Sequence, residues 1–124
     1  MKGTDKTARF TQILQELKEE YLIRFPEKIE LIKKLTAEQK WTELGDEYHK
    51  LKGTGKTYGF PEVSIVCEQL ELLAFESEQA HQKIFEEALP LLDRIYQAYL
   101  QKESYDLSKD SFVQNVLLST GRGR

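Results

Sequence analysis

Residues 41–58 read Trp41-Thr42-Glu43-Leu44-Gly45-Asp46-Glu47-Tyr48-His49-Lys50-Leu51-Lys52-Gly53-Thr54-Gly55-Lys56-Thr57-Tyr58, and their spacing decides the fold. Trp41, Leu44, Tyr48, Leu51, Gly55 and Tyr58 recur at intervals of 3-4-3-4-3. Residues three and four apart share one face of a helix, so this is the seam of a helix packed in a bundle. Gly59 follows and suits a left-handed C-cap. Pro61 suits the first turn of the next helix. On the other side, Thr36 is the candidate N-cap.

The same periodicity extends outward. Phe10, Ile13, Leu14, Leu17, Tyr21, Leu22, Phe25, Ile29, Ile32 and Leu35 predict a first helical segment over about 8–35, with Pro26 either kinking it or starting a second helix. Val63, Val66, Cys67, Leu70, Leu73 and Ala74 predict a third helix. Ile84, Ala88, Leu91, Leu92, Ile95, Ala98 and Tyr99 predict a fourth, capped by Ser77 and kinked at Pro90. No strand alternation competes with these patterns. Short connections favour antiparallel neighbours, so the fold class is all-α: an up-and-down antiparallel four-helix bundle with an N-terminal helical extension and a short C-terminal tail. The bundle is expected over 1–103. The tail, 104–124, is expected to hold a short packing helix over 110–118, capped by Asp110 or Ser111, with Gly121 to Arg124 disordered.

At 124 residues with 40% hydrophobic and 31% charged, the chain is one globular domain with room for a real core. A net charge of -3 gives no global attraction to nucleic acid. A single cysteine, Cys67, excludes an internal disulfide and leaves too few thiols for a zinc cluster. It is expected to pack as a small apolar residue. Met1 to Phe10 has no apolar leader segment, and no run approaches the roughly 20 apolar residues of a membrane span. The expectation is a cytoplasmic monomer, free-standing unless it was cut from a larger membrane-bound parent.

His49 carries the chemistry. Gly45 and Gly53 lie four residues to either side of it, and Lys52 and Lys56 follow at three and seven residues. These offsets place all four on its face of the helix. Gly45, Gly53 and Gly55 each cost about 0.8–1.0 kcal/mol in a helix interior relative to alanine. Close packing on the seam explains Gly55. For Gly45 and Gly53, access by a partner protein to the imidazole is the stronger explanation. An accessible ring beside ammonium groups points to a histidine that accepts and passes on a phosphoryl group. The imidazole titrates near pH 6.5 when unperturbed, so a neutral nucleophile is available near neutrality.

Other readings are weaker. Gly53-Thr54-Gly55-Lys56-Thr57 imitates the end of a phosphate-binding loop, but that motif needs a glycine where Lys50 stands and a strand before it. His81, 32 residues from His49, has no cluster of further ligands and is expected to be solvated. Glu68 and Glu71 read as helix-surface charges.

His49-Lys50-Leu51-Lys52-Gly53, Gly59, the stretch Cys67-Glu68-Gln69-Leu70-Glu71, and Trp41 eight residues before the histidine together resemble the signature of histidine-containing phosphotransfer (HPt) domains, over about residues 8–102. The resemblance implies a four-helix bundle whose exposed histidine exchanges a phosphoryl group with the aspartate of response-regulator receiver domains. It implies that His49 is the phospho-accepting residue, reacting through Nε2, that Lys52 neutralises the phosphoryl oxygens, and that Gly53 gives the receiver room. Lys56 is added on position alone. The expected partners are a response-regulator receiver domain and a sensor histidine kinase or hybrid kinase. No cofactor of its own is expected, magnesium being supplied by the receiver, and the chain would be a carrier without a kinase domain. Two features depart from the pattern: Tyr48 stands where alanine is common, making the core locally bulkier if it faces the bundle and carrying a hydroxyl that can reach a polar partner, and Lys40 stands where the helix start is often acidic. The rival reading is a helical adaptor that binds a receiver or kinase without being phosphorylated.

Overall fold

The computed structural model describes residues 2–76 and 81–118. Four helices, α1 (Lys2–Ala37), α2 (Trp41–Tyr58), α3 (Pro61–Glu76) and α4 (Gln82–Leu100), form a bundle in which α1 contacts α2 and α4, and α3 contacts α2 and α4. No strand occurs among the described residues. The expected all-α four-helix bundle is the observed fold.

The helices form where the apolar spacing places them, and the seam residues Leu44, Tyr48, Leu51 and Gly55 are all buried. The core closes on aromatic rings: Phe25 stacks on Tyr96 with centroids 5.4 Å apart, Tyr21 on Phe60 at 5.0 Å, and Tyr48 lies over Phe85 at 6.2 Å. Such contacts add about 0.5–1.5 kcal/mol each beyond the area they bury. The Tyr48 ring is fully buried, the bulkier core of the two readings its sequence position left open, and its hydroxyl has no hydrogen-bond partner among the described residues. Glu47, also buried, ties α1 to α2: Lys28 Nζ donates to it at 3.0 Å and Lys50 Nζ at 3.2 Å. Burial pushes its carboxyl up, but these two hydrogen bonds outweigh that and hold it below the usual range.

Chain breaks follow local chemistry. Gly59 adopts φ 83°, and its amide donates to the Gly55 carbonyl, so α2 ends in the left-handed cap that only glycine takes without strain. Thr36 is not the N-cap of α2. It belongs to the last turn of α1, where its hydroxyl donates to the Ile32 carbonyl at 2.7 Å, and Lys40 precedes α2 without a side-chain cap. α1 runs continuously through Pro26, and α4 through Pro90. Ser77 and Gly121 to Arg124 lie outside the described residues.

Residues 104–118 of the tail are part of the packed structure. Val113 and Leu117, in a π-helical segment (Val113–Leu117), are buried in the core. Asp110 caps this segment, accepting from the Val113 amide at 3.0 Å. Its other oxygen accepts from Arg94 Nη2 at 2.8 Å and from the Tyr105 hydroxyl at 2.5 Å. Burial pushes the Asp110 carboxyl up, but Tyr105, the Val113 amide and Arg94 together hold it below its ordinary value. The tail is thereby clamped to α4.

Candidate functional site

The candidate site lies on the α2–α3 pair. His49 follows Tyr48 on α2, and because Tyr48 points wholly into the core, the imidazole is turned outward, with 64% of its side chain exposed. Across from it, Glu71 on α3 sits one turn beyond buried Cys67. That placement draws its carboxylate against the helix pair, where only 14% of the side chain remains exposed.

Glu71 takes two donors. His49 Nδ1 lies 2.8 Å from Oε2, and Lys52 Nζ lies 2.9 Å from Oε1. Burial pushes the Glu71 carboxyl up, but the hydrogen bond from Lys52, then that from His49, hold it below the usual range, so it is ionised near neutrality. Lys52 is in turn held above its ordinary value, first by its hydrogen bond to Glu71. An ionised carboxylate has no proton to give, so the hydrogen bond assigns the ring proton to Nδ1. In the neutral ring the lone pair is then on Nε2, the nitrogen with no partner among the described residues.

The glycines divide. Gly53 is exposed, and a Cβ built there would meet nothing within 4 Å, so the space one turn past His49 is open. Gly45 is buried, and a Cβ there would stand 2.8 Å from Cε1 of Phe75. The reason for Gly45 is close packing of the Phe75 ring on α2, which corrects the expectation that it provides partner access. Gly55 meets the Phe60 carbonyl at 3.0 Å and is a packing glycine, as its seam position implies.

The lysines divide too. The Lys52 ammonium is on the Glu71 carboxylate rather than standing free beside the ring. Lys56 is exposed with no ion-pair partner among the described residues, about 10 Å further along the axis from His49 at 1.5 Å per residue. Lys50 pairs with Glu47, away from the site. Gly53 to Thr57, the false phosphate loop, is interior helix.

Two further expectations change, one outside the site and one within it. His81 is largely covered, with 16% of its side chain exposed, an Nε2 contact to Glu76 at 3.3 Å and its ring edge-on to Phe85. Glu71 is no solvated surface charge but the centre of the site. One signal for it was present in the sequence: Cys67 and Glu71 are four residues apart, so a carboxylate shares the face of a core residue. Cys67 itself is fully buried, as expected, and burial pushes its thiol far up, which leaves it inert.

Exposed apolar side chains border this face. Leu72 and Phe75 on α3 are each about half exposed, Leu72 next to Glu71 and Phe75 over Gly45. No helix among the described residues is long and apolar enough to cross a membrane. A family model described as the Hpt domain matches residues 16–102 of the chain. No curated protein and no solved structure matches it.

Proposed function

The chain belongs to the Hpt domain family, whose members are phosphotransfer carriers of two-component signalling, and from that premise we propose that His49 is its phospho-accepting residue and that it exchanges the phosphoryl group with the aspartate of a receiver domain. The observation that carries this reading is the hydrogen bond from His49 Nδ1 to Glu71, which leaves Nε2 as the outward nucleophile.

In the forward step the Nε2 lone pair attacks the phosphorus of the receiver's aspartyl phosphate in line. The Nε2–P bond forms as the P–O bond to the aspartate breaks, and the aspartate leaves as a carboxylate with the bonding pair. The proton on Nδ1 stays in place. The ring gains positive charge as the bond forms, and the adjacent Glu71 carboxylate stabilises it. The transition state is loose, so positioning and charge neutralisation carry most of the catalysis. Lys52, on the other oxygen of Glu71, is the nearest cation to neutralise the phosphoryl oxygens. Lys56 stands two turns away and acts as a steering charge at the rim. The open flank at Gly53 admits the receiver, with Leu72 and Phe75 offering it apolar contact. The divalent ion that this chemistry uses comes from the receiver domain. The upstream partner is a sensor or hybrid kinase, since the family members are carriers, not kinases.

The test is label transfer from a phosphorylated receiver, with magnesium, to the chain and to His49→Gln. We expect an acid-labile, alkali-stable adduct on the chain and none on the variant, with stability changed by no more than about 0.5 kcal/mol, as for most exposed positions. Equal labelling of the variant would sink the assignment. A variant that keeps receiver binding and signalling without any adduct on the parent chain would support the adaptor instead.

A further inference from the structure

α1 is 36 residues long and α2 is 18, so at 1.5 Å per residue α1 reaches about 54 Å against about 27 Å for its neighbour. The excess is at the N-terminus. Lys18 lies against Gly59, at the end of α2, and Gln15 and Leu17 still face the bundle beside Glu62 and Tyr58, so it is the residues before Gln15 that overhang it. Residues 2–15 also precede the segment that the family model matches.

This overhang and the turn after it carry an apolar stripe that is most exposed at its free end. Phe10 is 67% exposed, Ile13 48% and Leu17 38%, with Leu14 half-buried between them. Their spacing, i, i+3, i+4 and i+7, continues the core-facing side of α1 into solvent. An isolated helix of this length is marginal in water, so packing is what would hold it.

Its charges specify the occupant. Lys6 and Arg9, near the free end, have no ion-pair partner among the described residues. Among the described residues Glu16, near the bundle, has only the neutral Gln12 amide at 3.5 Å, and Glu20 has only an exposed pair with Arg24. At 100° per residue, Arg9, Glu16 and Glu20 lie along one flank of the stripe, and Lys6 lies at its edge beside Ile13. That flank is basic at one end and acidic at the other. It is complementary to itself when reversed.

We propose that the overhang is a homodimerisation surface: two copies of α1 pair antiparallel through Phe10, Ile13 and Leu14, with Arg9 of each copy facing Glu16 of the other and Lys6 facing Glu20. The pairing is isologous, as a two-fold contact requires. It leaves the His49 face of each copy open, since that face lies on the α2–α3 pair. It replaces the monomer expected from sequence. The contact is a single pair of short helices, at the small end of specific interfaces, so association is weak and depends on concentration.

Sedimentation of the full chain from low micromolar to millimolar concentration tests this. The expected mass rises from one chain to two and stops there. Phe10→Glu is expected to stay at one chain throughout, with an unchanged melting temperature because Phe10 lies outside the bundle core. Arg9→Glu is expected to weaken the dimer roughly three- to fivefold, in line with the modest worth of exposed pairs, and adding Glu16→Arg to restore it. One-chain mass at every concentration, masses beyond two, a Phe10→Glu variant that still pairs, or failure of the double charge swap to restore pairing would each overturn the proposal.

Discussion

Glu71 and Asp110 are two largely buried carboxylates, each gripped by nitrogen donors and each held below its ordinary pKa by them. One is the centre of the candidate site and the other a structural clamp. Around Asp110 the donors are Arg94, Tyr105 and the Val113 amide, and the buried residues behind them close the region. Around Glu71, the His49 ring uses one nitrogen for the hydrogen bond and turns the other to solvent, beside a glycine with no atom within 4 Å of where its Cβ would be. The same interaction becomes a site only where one donor has a second reactive atom and open space in front of it.

The sharpest way to break this comparison is Asp110→Ala. It removes a helix cap, worth about 1 kcal/mol, and strands the Arg94 and Val113 donors, so we expect a loss of about 2–3 kcal/mol, discounted because Arg94 is itself partly exposed. Phosphoryl acceptance by the folded fraction should not change. Chemical denaturation read together with transfer rates checks both halves. The same clamp has a pH signature. A depressed carboxylate pKa means stability fully present above the unfolded aspartate value of about 3.9 and lost as pH falls through the lower native value. Acid should therefore loosen the tail, read as exposure of Tyr105, and Asp110→Ala should abolish that transition.

A smaller effect is expected at the other carboxylate. Glu71→Leu removes a hydrogen bond to a charged group and should slow transfer about tenfold, equivalent to about 1.4 kcal/mol. Glu71→Gln keeps an acceptor for the Nδ1 proton and should retain more of the rate. A role confined to stability would leave the imidazole nitrogen NMR shifts of His49 unchanged in the leucine variant. We expect them to move toward a mixture of tautomers.

The smallest effects separate the two glycines. Gly53→Ala meets no obstacle and should stabilise α2 by about 0.8–1.0 kcal/mol. Gly45→Ala must displace the Phe75 ring and should gain less or lose. Equal gains in thermal melts would remove the distinction between a glycine kept open for a partner and one filled by packing.

What sequence reading reached and missed follows the range of the interactions involved. The helix register, the Gly59 cap, the Pro61 start and the outward His49 were legible because each rests on residues within one or two turns. The role of Glu71 was not, since it stands 22 residues from His49 and meets it only when α2 and α3 pack at a particular rotation. Gly45 was misread for the same reason: its counterpart Phe75 is on another helix. Thr36 failed differently, because a threonine hydroxyl can serve the preceding helix or the following one, and both are local.

The sequence by itself determined that the chain is helical, where α2 ends and α3 begins, that a short helix packs after Asp110, and which imidazole faces out, because periodicity and backbone geometry act over a few residues. The tertiary structure alone decided which ring nitrogen is free, which lysine is engaged, which glycine is open, and that Arg94 clamps Asp110. Those outcomes depend on side chains far apart in the chain meeting across helix interfaces, where distance and burial set the strength of each contact.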